Sequence, residues 1–374
     1  MIVNTAQGGG TYGTLPSQIN NFYATIGNAS VALSWSNPAD SNFAGVMILR
    51  KVGGYSNSKS DGMKVYDGTG TAYTDAGLTN GTQYYYRAFA YNAKHEYQTQ
   101  YCVTTMTPKQ GYQLGTFPVG TKLKFGSIFG NPIVQTIANK SGNDITLITD
   151  RTIAKYVFDA TELLNSNSDR RSHGNNRYTQ SNIHQWLNSE AGAGLWYTAQ
   201  HSADQAPDST HTVGKTFYDT AAGFLNEFST KEKNYLKTQT IIVNKSDVDG
   251  GGAETFNARV WLPSAAEVGI ILGSYYKEEG SQLALFTDDN SRIAYITPDA
   301  AAHCGWPVGT DMYWLRTPRS DDSCSVNIVF TDGTSTAISA NGDGNSGSVR
   351  SCCCLDSSIL CSLTPDSDGC YTVL

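Results

Sequence analysis

The sequence is short of charge. Asp, Glu, Lys and Arg make up 16% of its 374 residues, against a usual quarter or so. Asp169-Arg170-Arg171 is the densest basic stretch, and the net charge is −7. That balance excludes nucleic acid as the expected partner, because phosphate binding needs grouped Lys and Arg. No apolar run approaches the ~20 residues of a membrane-spanning helix. The opening, Met1 to Gly10, lacks the basic start and apolar core of a secretory signal, so folding in a reducing cytoplasm is expected. Before residue 300 the only cysteine is Cys102. In such a compartment disulfides are not required.

Patterns that carry chemistry are also missing. There is no Gly-x-Ser-x-Gly elbow, and a Ser-His-Asp set has no support beyond the abundance of Ser. Zinc sites want Cys-x-x-Cys-like pairs. Here Cys352, Cys353 and Cys354 are adjacent, followed by Cys361 and Cys370. Neighbours on a strand face opposite ways, so Cys352 and Cys354 share a face and Cys353 does not, a pattern compatible with two core cysteines and one exposed. His173, His184, His201 and His211 have no ligand spacing and read as exposed loop residues. Asp247 to Gly252 lacks the further ligands and distal Glu of a calcium loop, and reads as a Gly-rich turn. No catalytic residue, metal site or cofactor is predicted.

What is present is Gly (37) and Tyr (22), with much Ser, Thr and Asn. This is a β-rich, loop-rich composition in a chain long enough for two or three domains. Residues 1–14 read as a flexible arm, or one that docks on a neighbouring subunit. From 15 to 108, short alternating runs predict strands: Ser30 to Trp35, Gly45 to Arg50 and Tyr84 to Tyr91. Turn signals separate them at Asn37-Pro38, Gly53-Gly54, Asp67-Gly68 and Asn80-Gly81. The run Ala72 to Tyr86 resembles the fibronectin type III pattern. The resemblance implies that Trp35 and Leu78 fill the core and that Tyr84 or Tyr86 makes the tyrosine corner. It implies a spacer or adhesive module without catalysis.

A linker, 109–118, leads to a second domain over 119–374. Val119 to Phe125 and Asp144 to Thr149 read as strands, and 150–240 as mainly helical and irregular. Ile183, Trp186 and Leu187 share one helical face, capped by Thr179 or Ser181. Ser229 with Glu232 and Ser264 with Glu267 read as capping boxes, the second ahead of a short apolar helix.

The stretch around which function is read runs from Tyr313 to Arg350. Tyr313-Trp-Leu-Arg-Thr-Pro318 reads as a buried strand, and 319–348 as an exposed small-polar ribbon. Arg316 and Arg350, beside apolar motif residues, read as buried guanidinium groups that bond backbone carbonyls. The candidate contact residues are Arg319, Asp321, Asp322, Cys324, Ser325, Asn327, Phe330, Ser335, Ser339, Asn341, Asp343 and Asn345. Ser, Gly and Asn give adaptable hydrogen bonding, Phe330 an anchor, and Asp321 and Asp322 an attraction to basic or hydroxyl-rich ligands.

Val260-Trp-Leu-Pro-Ser-Ala-Ala-Glu-Val268, Met312 to Pro318, Ser348-Val-Arg350 and Gln185-Trp-Leu-Asn188 together resemble C-type-lectin-like domains of phages and gut bacteria. Ser351 and Thr317 depart from that pattern, which usually has Pro and Ser there. The Glu-Pro-Asn, Gln-Pro-Asp and Trp-Asn-Asp elements of calcium-dependent sugar lectins are absent. The implied fold is β-rich with two domains: an all-β fibronectin III-like sandwich and an α+β C-type-lectin-like domain. The same fold family includes the formylglycine-generating enzymes. It also includes the variable receptor-binding proteins of diversity-generating retroelements, such as the phage major tropism determinant. Diversification at Asn codons would enrich the residues found between 319 and 348, as would an ordinary Ser/Gly/Asn-rich loop. The resemblance implies a phage or prophage tail-tip protein that is not an enzyme. It would be made in the bacterial cytoplasm and carried on the virion. Its partners would be a host cell-surface protein or glycan and other tail subunits, and its state a homo-oligomer, with a trimer expected. The alternatives are a structural tail or baseplate decoration protein and a formylglycine-generating-type oxidase.

Overall fold

A computed structural model describes residues 14–272, 279–342 and 347–374. The expected N-terminal arm lies outside these residues except for Thr14. The chain divides into two compact units. One is Met1–Tyr112 with Leu360–Leu363 and Leu374; the other is Gln113–Ile359 with Thr364–Val373.

The first unit is a sandwich of seven strands, β1 (Asn20–Gly27), β2 (Ser30–Ser36), β3 (Gly45–Val52), β4 (Met63–Gly68), β5 (Ala72–Ala76), β6 (Tyr84–Tyr91) and β7 (Cys102–Met106). The sheets run β1-β2-β5 and β4-β3-β6-β7. Alternation in β2 turns Val31, Leu33 and Trp35 inward, where they meet Val46, Ile48, Tyr86 and Ala88 of the other sheet. Trp35 packs edge-on against Tyr66 at 5.0 Å between ring centres, and against Phe22 at 6.4 Å. Leu78 is buried with them. Of the two tyrosines expected at the corner, Tyr84 takes that part: its hydroxyl accepts from the Thr79 N–H at 3.1 Å. Tyr86 instead donates to Asp75 at 2.9 Å, and Asp75 is paired with Arg50 at 2.7 Å.

The second unit is also β-rich. Its largest sheet has six strands in the order Val260–Trp261, Cys352–Asp356, Asp144–Thr149, Asn131–Ser141, Lys122–Ile128 and Tyr371–Thr372. The last pair is parallel and the others antiparallel. A three-stranded sheet, Tyr313–Pro318, Ser325–Val329 and Ser335–Ser339, carries the region of interest. One core joins Leu315 and Val329 of this smaller sheet to Ile148, Trp261, Cys352 and Cys354 of the larger one.

That packing corrects the expectation for Cys353. It sits opposite Leu147 and Val260, both fully buried, and is itself only 3% exposed. Both faces of the cysteine strand are therefore covered. Burial holds the thiols of Cys352, Cys353 and Cys354 above their ordinary pKa. All three are protonated core side chains.

The segment 150–240 is less helical than expected. Its α-helices are Ser168–His173, Asn182–Leu187 and Thr230–Tyr235, and loops join them. Ser181, not Thr179, caps the second, accepting from the His184 N–H at 3.3 Å. The capping box of Ser229 and Glu232 forms. Ser264 and Glu267 exchange the same reciprocal bonds, but the chain there makes turns and closes at Gly269, at φ +73°. Of the four histidines read as exposed, only His173 is. His184 lies between Tyr178 and Phe256, and burial lowers its pKa to about 4. His201 meets the buried Glu162 at 3.0 Å, and His211 meets Asp208 at 2.9 Å.

Candidate functional site

The strand Tyr313–Pro318 is buried along its whole length. Trp314 donates from its indole to the Tyr156 carbonyl at 2.9 Å, and a Cβ at Gly347 would come within 2.6 Å of its ring. Arg316 uses all five of its N–H donors. They reach the carbonyls of Ile242, Leu262 and Glu279 at 3.1, 2.9 and 3.2 Å, and both Glu267 oxygens at 2.6 and 3.0 Å. Arg350 bonds the carbonyls of Thr149 and Arg292 and lies over the rings of Phe286 and Tyr313. Both arginines are framework, as read from the sequence.

After Pro318 the chain surfaces in a loop. The Arg319 N–H donates to the Ser325 carbonyl at 2.9 Å and closes it. Asp322 accepts from the N–H groups of Cys324 and Ser325 at 3.0 and 2.6 Å, so its carboxylate shapes the turn. Beneath lies Asn176, fully buried. Its amide reaches the carbonyls of Arg319, Asp322 and Ser325 at 3.3, 3.0 and 3.1 Å. Arg170 donates to the Ser323 carbonyl at 3.2 Å and pairs with Asp249 at 2.5 Å. The Ser323 hydroxyl donates to Asn167 at 3.1 Å, and the Asp247 N–H to the Ser320 carbonyl at 2.7 Å.

Three loops, about 163–176, 246–251 and 319–325, are thereby tied into one framework. Arg319 and Asp321 stand on its surface as a two-toothed ion pair at 2.6 and 3.0 Å. Exposed Leu163, Leu164 and Val248 belong to the other two loops. Sequence reading missed Asn176, Arg170 and Asp249. In one sequence, polar residues in polar loops carry no sign that they point inward; the Asn175-Asn176 pair was the available hint.

The candidate contact residues fall into four groups. Arg319, Asp321, Asp322, Cys324 and Ser325 share the loop. Asn327, Ser339 and Asn341 are 2%, 5% and 5% exposed, which corrects the expectation of an exposed ribbon. The Asn327 amide donates to the carbonyls of Thr317 and Pro318 at 3.1 and 3.3 Å, and the Asn341 N–H to the His173 carbonyl. Phe330 and Ser335 lie at the far end of the hairpin, about five residues or roughly 17 Å of strand from the loop. There Phe330 is exposed, and the turn is held by Arg292 donating to the Gly333 carbonyl at 2.8 Å. Asp343 and Asn345 lie outside the described residues.

Residues 143–357 match the family model described as Domain of unknown function (DUF6273). The chain belongs to this family. The matched range of the DUF6273 domain contains all three loops and every residue that ties them. No curated protein matches the chain. Among solved structures it is similar to a β-sandwich protein from computer-based redesign, at 25% identity over 25% of this chain and 96% of that one, with a TM-score of 0.22. It is similar to FN3tt mut at 17% identity, over 26% of this chain and 100% of that one, with a TM-score of 0.21. It is also similar to the Clostridium perfringens spore cortex lytic enzyme SleM at 11% identity and a TM-score of 0.21. That match covers 25% of this chain and 28% of the length of SleM.

The loop framework gives a direct prediction. Asn176→Ala takes the buried donor from the carbonyls of Arg319 and Asp322 and leaves that of Ser325 only the Arg319 N–H, at a cost of about 1–3 kcal/mol. Amide exchange of residues 319–325 is expected to accelerate, while that of the six-stranded sheet stays unchanged. Equal protection in parent and variant would show that the amide does not hold the loop.

Proposed function

We propose that this protein recognises a host cell-surface protein or glycan from the tail tip of a phage or prophage-derived particle. In this reading the fibronectin III-like sandwich is a spacer, and the DUF6273 region is a C-type-lectin-like domain whose three-loop face makes the contact. The observation that carries the reading is the framework under that face. Buried Asn176 and half-buried Arg170, with the Asp322 turn, hold the 319–325 backbone from below and leave Arg319 and Asp321 outward. A loop held in this way loses little freedom when it binds, which favours affinity. Exposed Leu163, Leu164 and Val248 supply apolar area on the other two loops. Binding is favoured over thiol oxidation because burial raises the pKa of Cys352 to Cys354, the reverse of what an attacking thiolate needs. The phage setting and the expected trimer rest on the family resemblance alone.

The test is adsorption of the fluorescently labelled full chain to a panel of intact gut bacteria. Arg319→Glu combined with Asp321→Lys reverses the surface charges while keeping them opposite. It is expected to lower adsorption to a binding strain about tenfold or more, with an unchanged circular dichroism spectrum. Adsorption equal to that of the parent would overturn the site. Failure to bind any strain, with stable assembly onto tail subunits, would favour a decoration role.

A further inference from the structure

A separate cleft in the second unit has the makings of an anion site. It is lined by Lys155, Val213 to Thr216, Cys304, Gly305 and Trp306 and encloses about 220 Å³. Lys155 is 4% exposed, yet it lines the cleft. It sits 4.3 Å from the centre of the Trp306 ring and 3.3 Å from Asp311. Asp311 is shared: its carboxylate also accepts from Thr152 at 2.9 Å and from the Ser348 hydroxyl. An ammonium has three donors. Among the described residues Asp311 is the one acceptor that Lys155 meets, and at 3.3 Å the bond is longer than a charge-assisted contact of about 2.7–2.9 Å.

Lys215 supplies a second positive charge on the wall, 3.7 Å from where a Cβ of Gly305 would stand. It forms no ion pair among the described residues. Trp306 is 41% exposed and offers an open apolar surface in the cleft that both lysines line. The helix Pro298–Cys304 ends at this cleft, where the Ala301 and Ala302 carbonyls accept from the N–H groups of Gly305 and Trp306.

We propose that this cleft binds a small cyclic carboxylate. The acid group would bridge Lys155 and Lys215, and the ring would lie on the exposed part of Trp306. The volume is below the range of about 300–1,000 Å³ typical of drug-sized ligands, and suits a single ring. Sugar acids and aromatic acids share this chemistry. The site is independent of the three-loop face, so each can fail alone.

The test follows the Trp306 indole N–H signal of the isotope-labelled full chain, assigned through Trp306→Ala. Sodium glucuronate, sodium benzoate, glucose and inorganic phosphate are titrated at constant ionic strength. The proposal expects a saturable shift with glucuronate or benzoate and none with glucose. Which acid binds more tightly separates a sugar source from an aromatic one. Lys215→Glu, an exposed change, should weaken that binding about tenfold or more while the fold is retained. The same loss of binding in Lys155→Met supports the floor contact, provided that variant folds. No shift with either acid at tens of millimolar, a shift with phosphate alone, or full binding by Lys215→Glu would overturn the proposal.

Discussion

Arg316→Met is expected to destabilise the C-terminal unit by about 3–5 kcal/mol, the usual cost of removing one partner from a buried ion pair. Methionine has nearly the length of the arginine stem and fills much of its volume, so little of the loss comes from a cavity. The loss is polar. Glu267 keeps a carboxylate whose neutralising fork is gone, and the carbonyls of Ile242, Leu262 and Glu279 lose a buried donor. These groups belong to separate segments of chain: the strand Gln239–Asn244, the turn around 262–267, and the chain at 279. One side chain gathers all three. Arg316→Lys separates charge from geometry, because lysine keeps the cation but not the planar fork. It is expected to fall between parent and methionine variant. The measurement is hydrogen exchange of the six-stranded sheet, since a chain of two units does not unfold as one cooperative block. A lysine variant as stable as the parent would show that charge alone matters. A methionine variant within about 1 kcal/mol of the parent would remove the network from the account of stability.

This network was half legible in the sequence. A dense apolar run that includes one arginine and ends in proline leaves the guanidinium nowhere to go but inward, so a framework role for Arg316 could be read. Its partners could not, because Glu267 and Glu279 are 49 and 37 residues away. The sandwich was the most legible part. Val31, Leu33 and Trp35 alternate in the sequence as they do in the strand, and the Asn80-Gly81 turn lies close to the tyrosine corner. The polar ribbon was the least legible, because small polar residues read as solvated. Asn327 shows why that inference fails. Strand pairing slips between Trp314 and Pro318, and the Asn327 amide supplies the carbonyls of Thr317 and Pro318 at that slip. Composition reports that a residue can hydrogen-bond but not whether its partner is water or backbone. Cys353 failed for a related reason: alternation gives the face a residue points to, and what covers that face is tertiary.

Stability of the C-terminal unit is expected to fall as pH rises from about 4.5 towards 7, and Glu279→Gln should remove that fall. Glu279 is 1% exposed. Burial is the largest influence on it and raises its pKa; the Arg316 charge, the Thr317 hydroxyl at 2.6 Å and the Asn244 N–H work against burial, and Glu267 works with it. The balance lifts it from an ordinary 4.5 to about 7. Between those values the folded chain holds a proton that the unfolded chain has lost. Protonation therefore favours the fold, fully so below 4.5, and the benefit is gone once pH passes 7. A shift of this size corresponds to about 3 kcal/mol across the window. Asp159 adds a slope of the same sign, since burial and then the nearby Glu162 and Asp204 raise it well above its ordinary value. Exposed carboxylates such as Asp321 and Asp366, held low by Arg319 and Lys124, add the opposite slope at lower pH. The difference between parent and Glu279→Gln cancels both contributions. Glutamine retains an oxygen to accept from the Asn244 N–H and stays neutral throughout. The variant should therefore match the parent most closely near pH 4.5 and gain on it steadily up to pH 7. Hydrogen exchange of the six-stranded sheet at several pH values, corrected for the intrinsic exchange rate, reads this for the C-terminal unit, and parallel curves across the window would mean that Glu279 ionises in the folded chain as it does in water.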